Sequence, residues 1–262
     1  GGVRGRMTAL PPAFLDTPIA HRGLHDRGAG RIENSLSAIR AAVERGFGVE
    51  LDLQVSADGA AMVFHDARLD RLTGETGEVR ARDAAELGEI ALTGSSDRIP
   101  TLEAVLAEVA GRVPLLIEIK DQDGALGENI GPLEAAAARA LTDYAGPVAV
   151  MSFNPHSVAE MARLAPNVPR GLVTDPFLAA DWPDLPQAVG DALRAIGDYD
   201  RARASFISHN ATDLAAGPVA RLKAAGAAVL CWTVRSAEAE AEARRVAGNI
   251  TFEGYDPGAA AS

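Results

Sequence analysis

Short apolar segments alternate with alanine-rich helical segments along most of the chain, and this alternation limits the possible folds more than any other feature. Apolar runs at 115–119 and 148–151 are each followed by a run with helical periodicity, at 134–141 and 155–164. Strands that alternate with helices are typical of a parallel sheet covered by helices. The run at 115–119 begins Leu-Leu-Ile, which fits a strand buried on both faces.

The number of strand–helix steps predicts a closed barrel. We count eight such steps if the apolar run 61–64 is a return arm and not a barrel strand. The dipeptide Asp58-Gly59, between the runs 47–55 and 61–64, is a hairpin signal, whereas a parallel crossover needs about a dozen residues or more. In a chain of 262 residues, eight steps predict an α/β fold of the TIM (β/α)8 barrel type. An open, doubly wound sheet is the alternative.

The hairpin also predicts which residues are neighbours. With a two-residue loop, Asp52 lies opposite His65, and a slip of one residue would turn His65 to the other face. The irregular stretch 66–99, which contains several Thr-Gly and Ser-rich turns, is interpreted as a compact insertion or lid after the hairpin. We expect residues 1–262 to form one barrel domain, with 1–6 a remnant of an expression tag.

Composition excludes several classes of protein. The chain is 47% hydrophobic and 23% charged, so it can bury a core. Its net charge of −11 argues against binding to nucleic acid or to an anionic membrane by bulk charge. The single cysteine, Cys231, rules out an intramolecular disulfide and a cysteine-rich zinc site. Because no signal peptide or membrane-spanning run is visible, we expect a cytoplasmic monomer or homodimer that acts on a small molecule.

The first candidate functional residues lie on the first two predicted strands. His21 and Arg22 directly follow the first strand, at the edge where barrels build active sites, and arginine can bind phosphate through two hydrogen bonds. Glu50 and Asp52 are two residues apart, so both carboxylates point to one side of the second strand. Close carboxylates repel unless a cation lies between them, and Mg²⁺ and Ca²⁺ prefer oxygen ligands. The alternatives are a structural histidine and a half-exposed strand with a polar face.

Other candidates follow at the ends of later strands. Glu118 and Lys120 again share one side of a strand, so Glu118 can complete a site of three carboxylates. Lys120 can neutralise a substrate phosphate or pair with a carboxylate, and a purely structural ion pair is the alternative. His65 ends the return arm. Trp232 lies near a strand end, where it can stack on a substrate or simply fill the core.

These residues resemble the glycerophosphodiester phosphodiesterase family. The resemblance is dense from residue 19 to 120 and sparse afterwards. The matching stretches are Ile19-Ala20-His21-Arg22-Gly23, Glu33-Asn34-Ser35, Glu50-Leu51-Asp52, Asp58-Gly59, Phe64-His65-Asp66, Leu69 with Arg71 and Thr73, Ile99-Pro100-Thr101-Leu102, Glu118-Ile119-Lys120, Ser152-Phe153 and Trp232-Thr233-Val234.

The resemblance implies a TIM barrel of the phospholipase-C-like type, with an insertion after His65-Asp66. It implies a divalent cation, Mg²⁺ or Ca²⁺, held by Glu50, Asp52 and Glu118.

The resemblance also implies roles for other side chains. His21 and His65 are expected as general acid and base, with either assignment open, and Arg22 is expected to hold the phosphate. Trp232 occupies the family's substrate-stacking position. Attack by water and a cyclic-phosphate intermediate are both compatible with these groups.

The expected reaction is metal-dependent hydrolysis of glycerophosphodiesters to sn-glycerol 3-phosphate and an alcohol. Ile32, where the family usually has proline, and the ending 250–257 depart from the family pattern. The compact insertion and this ending motivate an alternative substrate, as in a lysophospholipase D or a sphingomyelinase-D-like phosphodiesterase. From the residues alone, a metal-dependent sugar isomerase, an aldolase with a Schiff base on Lys120, and a non-catalytic metal-binding protein are further alternatives.

Overall fold

Eight parallel strands close into a barrel because the first strand pairs with both the second and the last. The computed structural model describes residues 8–258, so the predicted tag remnant at 1–6 lies outside the described residues. A further strand, β3, is antiparallel to β2 and lies outside the closed barrel. The strands are β1 (Ile19–His21), β2 (Gly48–Val55), β3 (Ala61–Val63), β4 (Leu115–Ile119), β5 (Val148–Ser152), β6 (Arg170–Thr174), β7 (Phe206–Asn210), β8 (Ala228–Val234) and β9 (Asn249–Phe252).

Helices connect successive barrel strands, as the alternation predicts. Several begin at a side chain that accepts a hydrogen bond from the first turn, as Ser35, Thr101 and Asn154 do. No helix within residues 8–258 has the length and apolar character needed to cross a bilayer. The helices are α1 (Ala13–Asp16), α2 (Leu36–Glu44), α3 (Ala84–Leu87), α4 (Leu102–Val109), α5 (Pro132–Leu141), α6 (Pro155–Leu164), α7 (Gln187–Arg194), α8 (Gly217–Ala224) and α9 (Ala237–Ala243).

The TIM-barrel prediction is confirmed, but the predicted register of the hairpin is wrong by one residue. Leu53 pairs with Val63, so Asp52 lies opposite Phe64 and not opposite His65. The loop contains three residues, because the Ser56 backbone N–H donates to the carbonyl of Ala60 at 2.9 Å. Its third residue is a glycine at φ +81°, the left-handed conformation that such a loop requires.

Two other features differ from the sequence interpretation or extend it. Helix α7 lies in a segment for which the sequence predicts no element. The insertion 66–99 is not an open loop, because its apolar side chains form their own cluster under the hairpin. That cluster joins Leu69, Leu87 and Ile99 to Ile32 and Met62, all nearly inaccessible to solvent. The insertion is therefore a packed platform beside the barrel mouth.

The lower part of the barrel interior is filled by apolar side chains, which include Ile19, Leu116, Phe206 and Leu230. Gly171 on β6 lies beside Phe206 on β7. A Cβ atom at Gly171 would come within 2.5 Å of the Phe206 ring. The aromatic ring thus occupies the space that a larger residue would need.

We predict that Gly171→Ala lowers the free energy of unfolding by about 1–3 kcal/mol, because the added methyl overpacks a dense interior. Gly74→Ala is the matched control, since a Cβ there has no neighbour within 4 Å and its φ is not positive. Chemical denaturation of both variants measures the difference. Equal stability of the two variants would contradict the packing argument.

Candidate active site

Three carboxylates meet inside the mouth of the barrel. The parallel register sets Asp52 beside Glu118 on the next strand, and Glu50 precedes Asp52 by two residues. One oxygen from each of the three carboxylates lies within 4.8 Å of the others. Glu50, Asp52 and Glu118 are 3%, 1% and 7% exposed, so the half-exposed edge strand considered from the sequence is excluded.

Two cations partly offset this negative charge. The ammonium of Lys120 lies 2.5 Å from Glu118 Oε2 and 3.6 Å from Asp52 Oδ1. The Nε of Arg22 lies 3.6 Å from Asp52 Oδ2. Burial raises the pKa of Glu50 well above its usual range, and the carboxylates of Asp52 and Glu118 raise it further. Burial and the neighbouring carboxylates therefore both disfavour the charged form of Glu50.

Burial tends to raise the pKa of Asp52, but Lys120, His65 and Arg22 outweigh it and hold that pKa below its usual range. Asp52 thus differs from its neighbour Glu50 in the sign of the shift. The two shifts differ in direction because both cations lie 3.6 Å from Asp52, whereas the charges that act most strongly on Glu50 are those of the other two carboxylates. The Asp52 carboxylate therefore stays ionised within the cluster.

A tight turn after β1 brings the backbone to the carboxylates. Arg22 and Gly23 have φ of 57° and 75°, and the Arg22 N–H donates to Glu50 Oε2 at 3.1 Å. A Cβ at Gly23 would lie 2.8 Å from the carbonyl carbon of Ala38, so only glycine fits this close approach. The side chain of Arg22 enters the pocket from this turn.

Asn34 fixes Asp52 from the other side. Its Nδ2 donates to Asp52 Oδ2 at 3.0 Å, and its Oδ1 accepts from the Asp52 backbone N–H at 3.3 Å. Asn34 is 1% exposed and has φ of 61°, a conformation that asparagine tolerates better than most residues. Asn34 belongs to one of the matching stretches, but its contact with Asp52 was not predicted.

His65 lines the same pocket as Asp52, although the register that led to this expectation is wrong. The chain bends directly after Phe64, so the imidazole reaches the pocket from a bend and not from the alternation of a strand. Its Nδ1 is 3.0 Å from Asp66 Oδ1. Gln54 donates to the His65 carbonyl at 2.8 Å and holds the bend in place.

Ion pairs connect His65 to Arg22 through the insertion. Arg71 donates to both oxygens of Asp66, at 2.8 and 2.9 Å, and also to Glu33. Glu33 in turn accepts from Arg22 Nη1 at 2.6 Å. The hydrogen bonds from His65 and Arg71 lower the pKa of Asp66 far below its usual range. Arg71 belongs to the matching stretches, but its place in this network was not predicted.

His21 contacts the cluster from the end of β1. Its Nε2 is 3.7 Å from Glu50 Oε2, and its Nδ1 is hydrogen-bonded to Glu253. From the sequence, Glu253 was noted only as part of an unusual ending, and no contact was predicted for it. Its position directly after the last strand was the available signal, because ends of parallel strands meet at one edge of a barrel.

Part of the remaining wall of the pocket is apolar, beside Thr233, Arg235 and Thr251. Met151, Phe153, Val173 and Trp232 line it, and the cavity holds about 290 Å³. The indole Nε1 of Trp232 donates to the carbonyl of Ser208 at 3.0 Å, while its ring packs edge-on against Phe153. Trp232 is therefore both anchored and exposed to the cavity. All eight residues predicted for the site line this single pocket.

The arrangement has defined chemical abilities. Three oxygen-donor side chains can hold a hard cation. The guanidinium-bearing side chain of Arg22 lines the cavity, so it can donate to an anionic ligand. Two imidazoles line the same cavity and can accept and donate protons. The pocket thus combines a cation site, an anion site and two acid–base groups.

Comparison with known proteins agrees with this chemistry. A sequence model of the glycerophosphoryl diester phosphodiesterase family matches residues 21–250. The chain is 32% identical over 177 residues to a glycerophosphodiester phosphodiesterase of Caldanaerobacter subterraneus, covering 63% of this chain and 69% of the relative. It is 30% identical over 241 residues to the probable glycerophosphodiester phosphodiesterase 1 of Mycobacterium tuberculosis, covering 82% and 81%.

A solved structure shares the fold. The phosphodiesterase of Oleispira antarctica, in complex with the product sn-glycerol-3-phosphate, has a TM-score of 0.74 at 24% identity. The match covers 93% of this chain and 94% of that chain.

We predict that Asn34→Ala lowers the free energy of unfolding by about 1–3 kcal/mol, since it leaves buried polar groups of Asp52 without partners. Asn167→Ala is the control, because Asn167 is exposed and should change stability by no more than about 0.5 kcal/mol. Urea denaturation compares the two. If Asn34→Ala loses no more stability than Asn167→Ala, the role of Asn34 is refuted.

Proposed function

Because the chain belongs to the glycerophosphoryl diester phosphodiesterase family, and is therefore a phosphoric diester hydrolase, we propose that it hydrolyses glycerophosphodiesters with a divalent cation and two histidines. The products are sn-glycerol 3-phosphate and an alcohol. The observation that carries this proposal is the meeting of three carboxylates, Arg22, Lys120 and both histidines around one cavity. We also propose that the barrel and its insertion act as one catalytic domain.

The donor set suits Mg²⁺ or Ca²⁺. Glu50, Asp52 and Glu118 offer only oxygen atoms, which hard cations prefer over the nitrogen and sulfur ligands typical of zinc. Close carboxylates repel one another, and a divalent cation between them would offset that repulsion. When bound, the cation neutralises phosphate charge and stabilises the charge that develops in the transition state.

Arg22 and Lys120 bind the phosphate in this proposal. Both border the cavity and lie next to the carboxylates. The Arg22 guanidinium donates to a phosphate oxygen, while its Nη1 stays hydrogen-bonded to Glu33. A phosphodiester repels nucleophiles because it is anionic, and these two cations offset that charge.

The histidines transfer the protons. In each imidazole Nδ1 contacts a carboxylate, Glu253 for His21 and Asp66 for His65, which leaves Nε2 for the substrate. One histidine takes a proton from the attacking hydroxyl, and the other gives one to the leaving alkoxide. His21 lies 3.7 Å from Glu50, and both imidazoles line the cavity that holds the carboxylates.

The apolar wall fits the carbon skeleton of a glycerol or alcohol group. Trp232 and Phe153 supply flat apolar surface, and a polyol can lie against it through its C–H groups. The product in the Oleispira antarctica complex, sn-glycerol-3-phosphate, supports this assignment of substrate class. The small-molecule substrate thus spans the charged and the apolar halves of one pocket.

The environment of Lys120 argues against the aldolase alternative. A Schiff-base lysine needs a lowered pKa. Burial alone would lower the pKa of Lys120, but Glu118 and Asp52 outweigh it and raise that pKa above its usual value. The ammonium is held as a cation, which suits phosphate binding and not nucleophilic attack.

We predict that EDTA abolishes the release of glycerol 3-phosphate from a panel of glycerophosphodiesters, and that Mg²⁺ or Ca²⁺ restores it. The reason is that three carboxylates beside an anionic phosphate repel it unless a cation lies between them. An enzyme-coupled assay for glycerol 3-phosphate measures the release. Undiminished release in EDTA would overturn the metal requirement, and faster turnover of a lysophospholipid would favour the alternative substrate class.

We predict that His65→Ala lowers kcat about 10²- to 10⁴-fold, the usual contribution of a general acid or base, and leaves the melting temperature nearly unchanged. His156→Ala is the control, because His156 is outside the residues that line the pocket. Steady-state kinetics and thermal melts report both effects. Full activity of the His65 variant would exclude a proton-transfer role.

A further inference from the structure

Glu253 connects the end of the chain's last strand to the imidazole of His21. Its backbone N–H donates to the carbonyl of Val234 on β8 at 3.0 Å, which fixes where the side chain starts. One carboxylate oxygen, Oε1, is hydrogen-bonded to His21 Nδ1. This contact joins residues that are 232 positions apart in the sequence.

Two further groups lie close to the carboxylate of Glu253. Its Oε2 lies 3.6 Å from Nε2 of His25, and its Oε1 lies 3.7 Å from Nη2 of Arg235. The hydrogen bond with His21 lowers the pKa of Glu253 to about 2, so the group is ionised and can only accept hydrogen bonds. A fixed anionic acceptor at Nδ1 determines which imidazole nitrogen carries the proton.

The position of this proton also determines whether Nε2, the other ring nitrogen of His21, has a free lone pair. With the proton on Nδ1, the lone pair of Nε2 points away from Glu253, on the side where Glu50 Oε2 lies 3.7 Å away. Without an acceptor at Nδ1, the ring can rotate about χ1 and χ2 and can hold either tautomer. A histidine that must exchange a proton with a substrate loses efficiency in both cases.

We propose that Glu253 is a positioning residue for His21, which fixes the orientation of the ring and its Nδ1–H tautomer. This inference rests on the proposed function, in which Nε2 of His21 exchanges a proton with the substrate. The unusual ending 250–257 thereby gains a role in the reaction that is separate from substrate choice.

The test uses the full-length chain with Glu253→Ala and Glu253→Asp, and Glu238→Gln as the control. Glu238 is exposed on α9 and makes no side-chain contact within the described residues. Steady-state kinetics give kcat and KM, thermal melts give stability, and ¹⁵N NMR of the imidazoles gives the tautomer. His21→Gln identifies the His21 signals by their loss.

We expect Glu253→Ala to lower kcat about 10- to 100-fold, a part of the full acid–base contribution, with KM changed less than about threefold. The same variant should shift the His21 nitrogen signals away from the pure Nδ1–H pattern. Glu253→Asp keeps an anionic acceptor one methylene shorter and should recover part of the loss in kcat. Glu238→Gln should match the unchanged protein in every readout.

An unchanged His21 tautomer in Glu253→Ala would overturn the proposal, and so would a loss of activity that only follows a loss of melting temperature. If the unchanged protein releases no glycerol 3-phosphate from any diester, the proposed function fails. The NMR comparison then still decides whether Glu253 positions His21, so the two failures are distinguishable.

Discussion

Three buried carboxylates within 4.8 Å of one another are the constraint on which the rest of this structure depends. Buried like charges are costly unless cations or hydrogen bonds compensate them. Lys120 and Arg22 approach Asp52, and Asn34 donates to it, but Glu50 keeps a raised pKa in their presence. Burial and repulsion thus still disfavour the ionised form of Glu50 after these contacts have been made.

The barrel makes this arrangement possible by dividing its interior into two levels. Apolar side chains such as Leu116 and Phe206 fill the lower level densely enough to exclude a Cβ at Gly171. The polar residues lie above them, at the carboxyl ends of the strands. Hydrophobic burial therefore supplies the stability, while the charged groups are confined to the mouth of the barrel.

Much of the site could be predicted because its main elements obey local rules. Side chains two residues apart on one strand share a face, so Glu50 with Asp52 and Glu118 with Lys120 were identified without knowledge of the pairing. The hairpin register was predicted wrongly, because the loop contains three residues and Asp-Gly alone does not fix the length of a loop. The role of Glu253 was not predicted for another reason: its partner, His21, lies near the opposite end of the sequence.

The two departures from the family pattern have structural counterparts in this chain. Ile32 is buried in the apolar cluster of the insertion, directly before Glu33, which pairs with both Arg22 and Arg71. The ending at 250–257 carries Glu253, which contacts His21. Neither departure replaces one of the eight pocket residues named from the sequence. Each instead adjoins or supplies a carboxylate that contacts such a residue, Glu33 at Arg22 and Glu253 at His21. The departures therefore alter the surroundings of the pocket and leave its carboxylates and imidazoles in place.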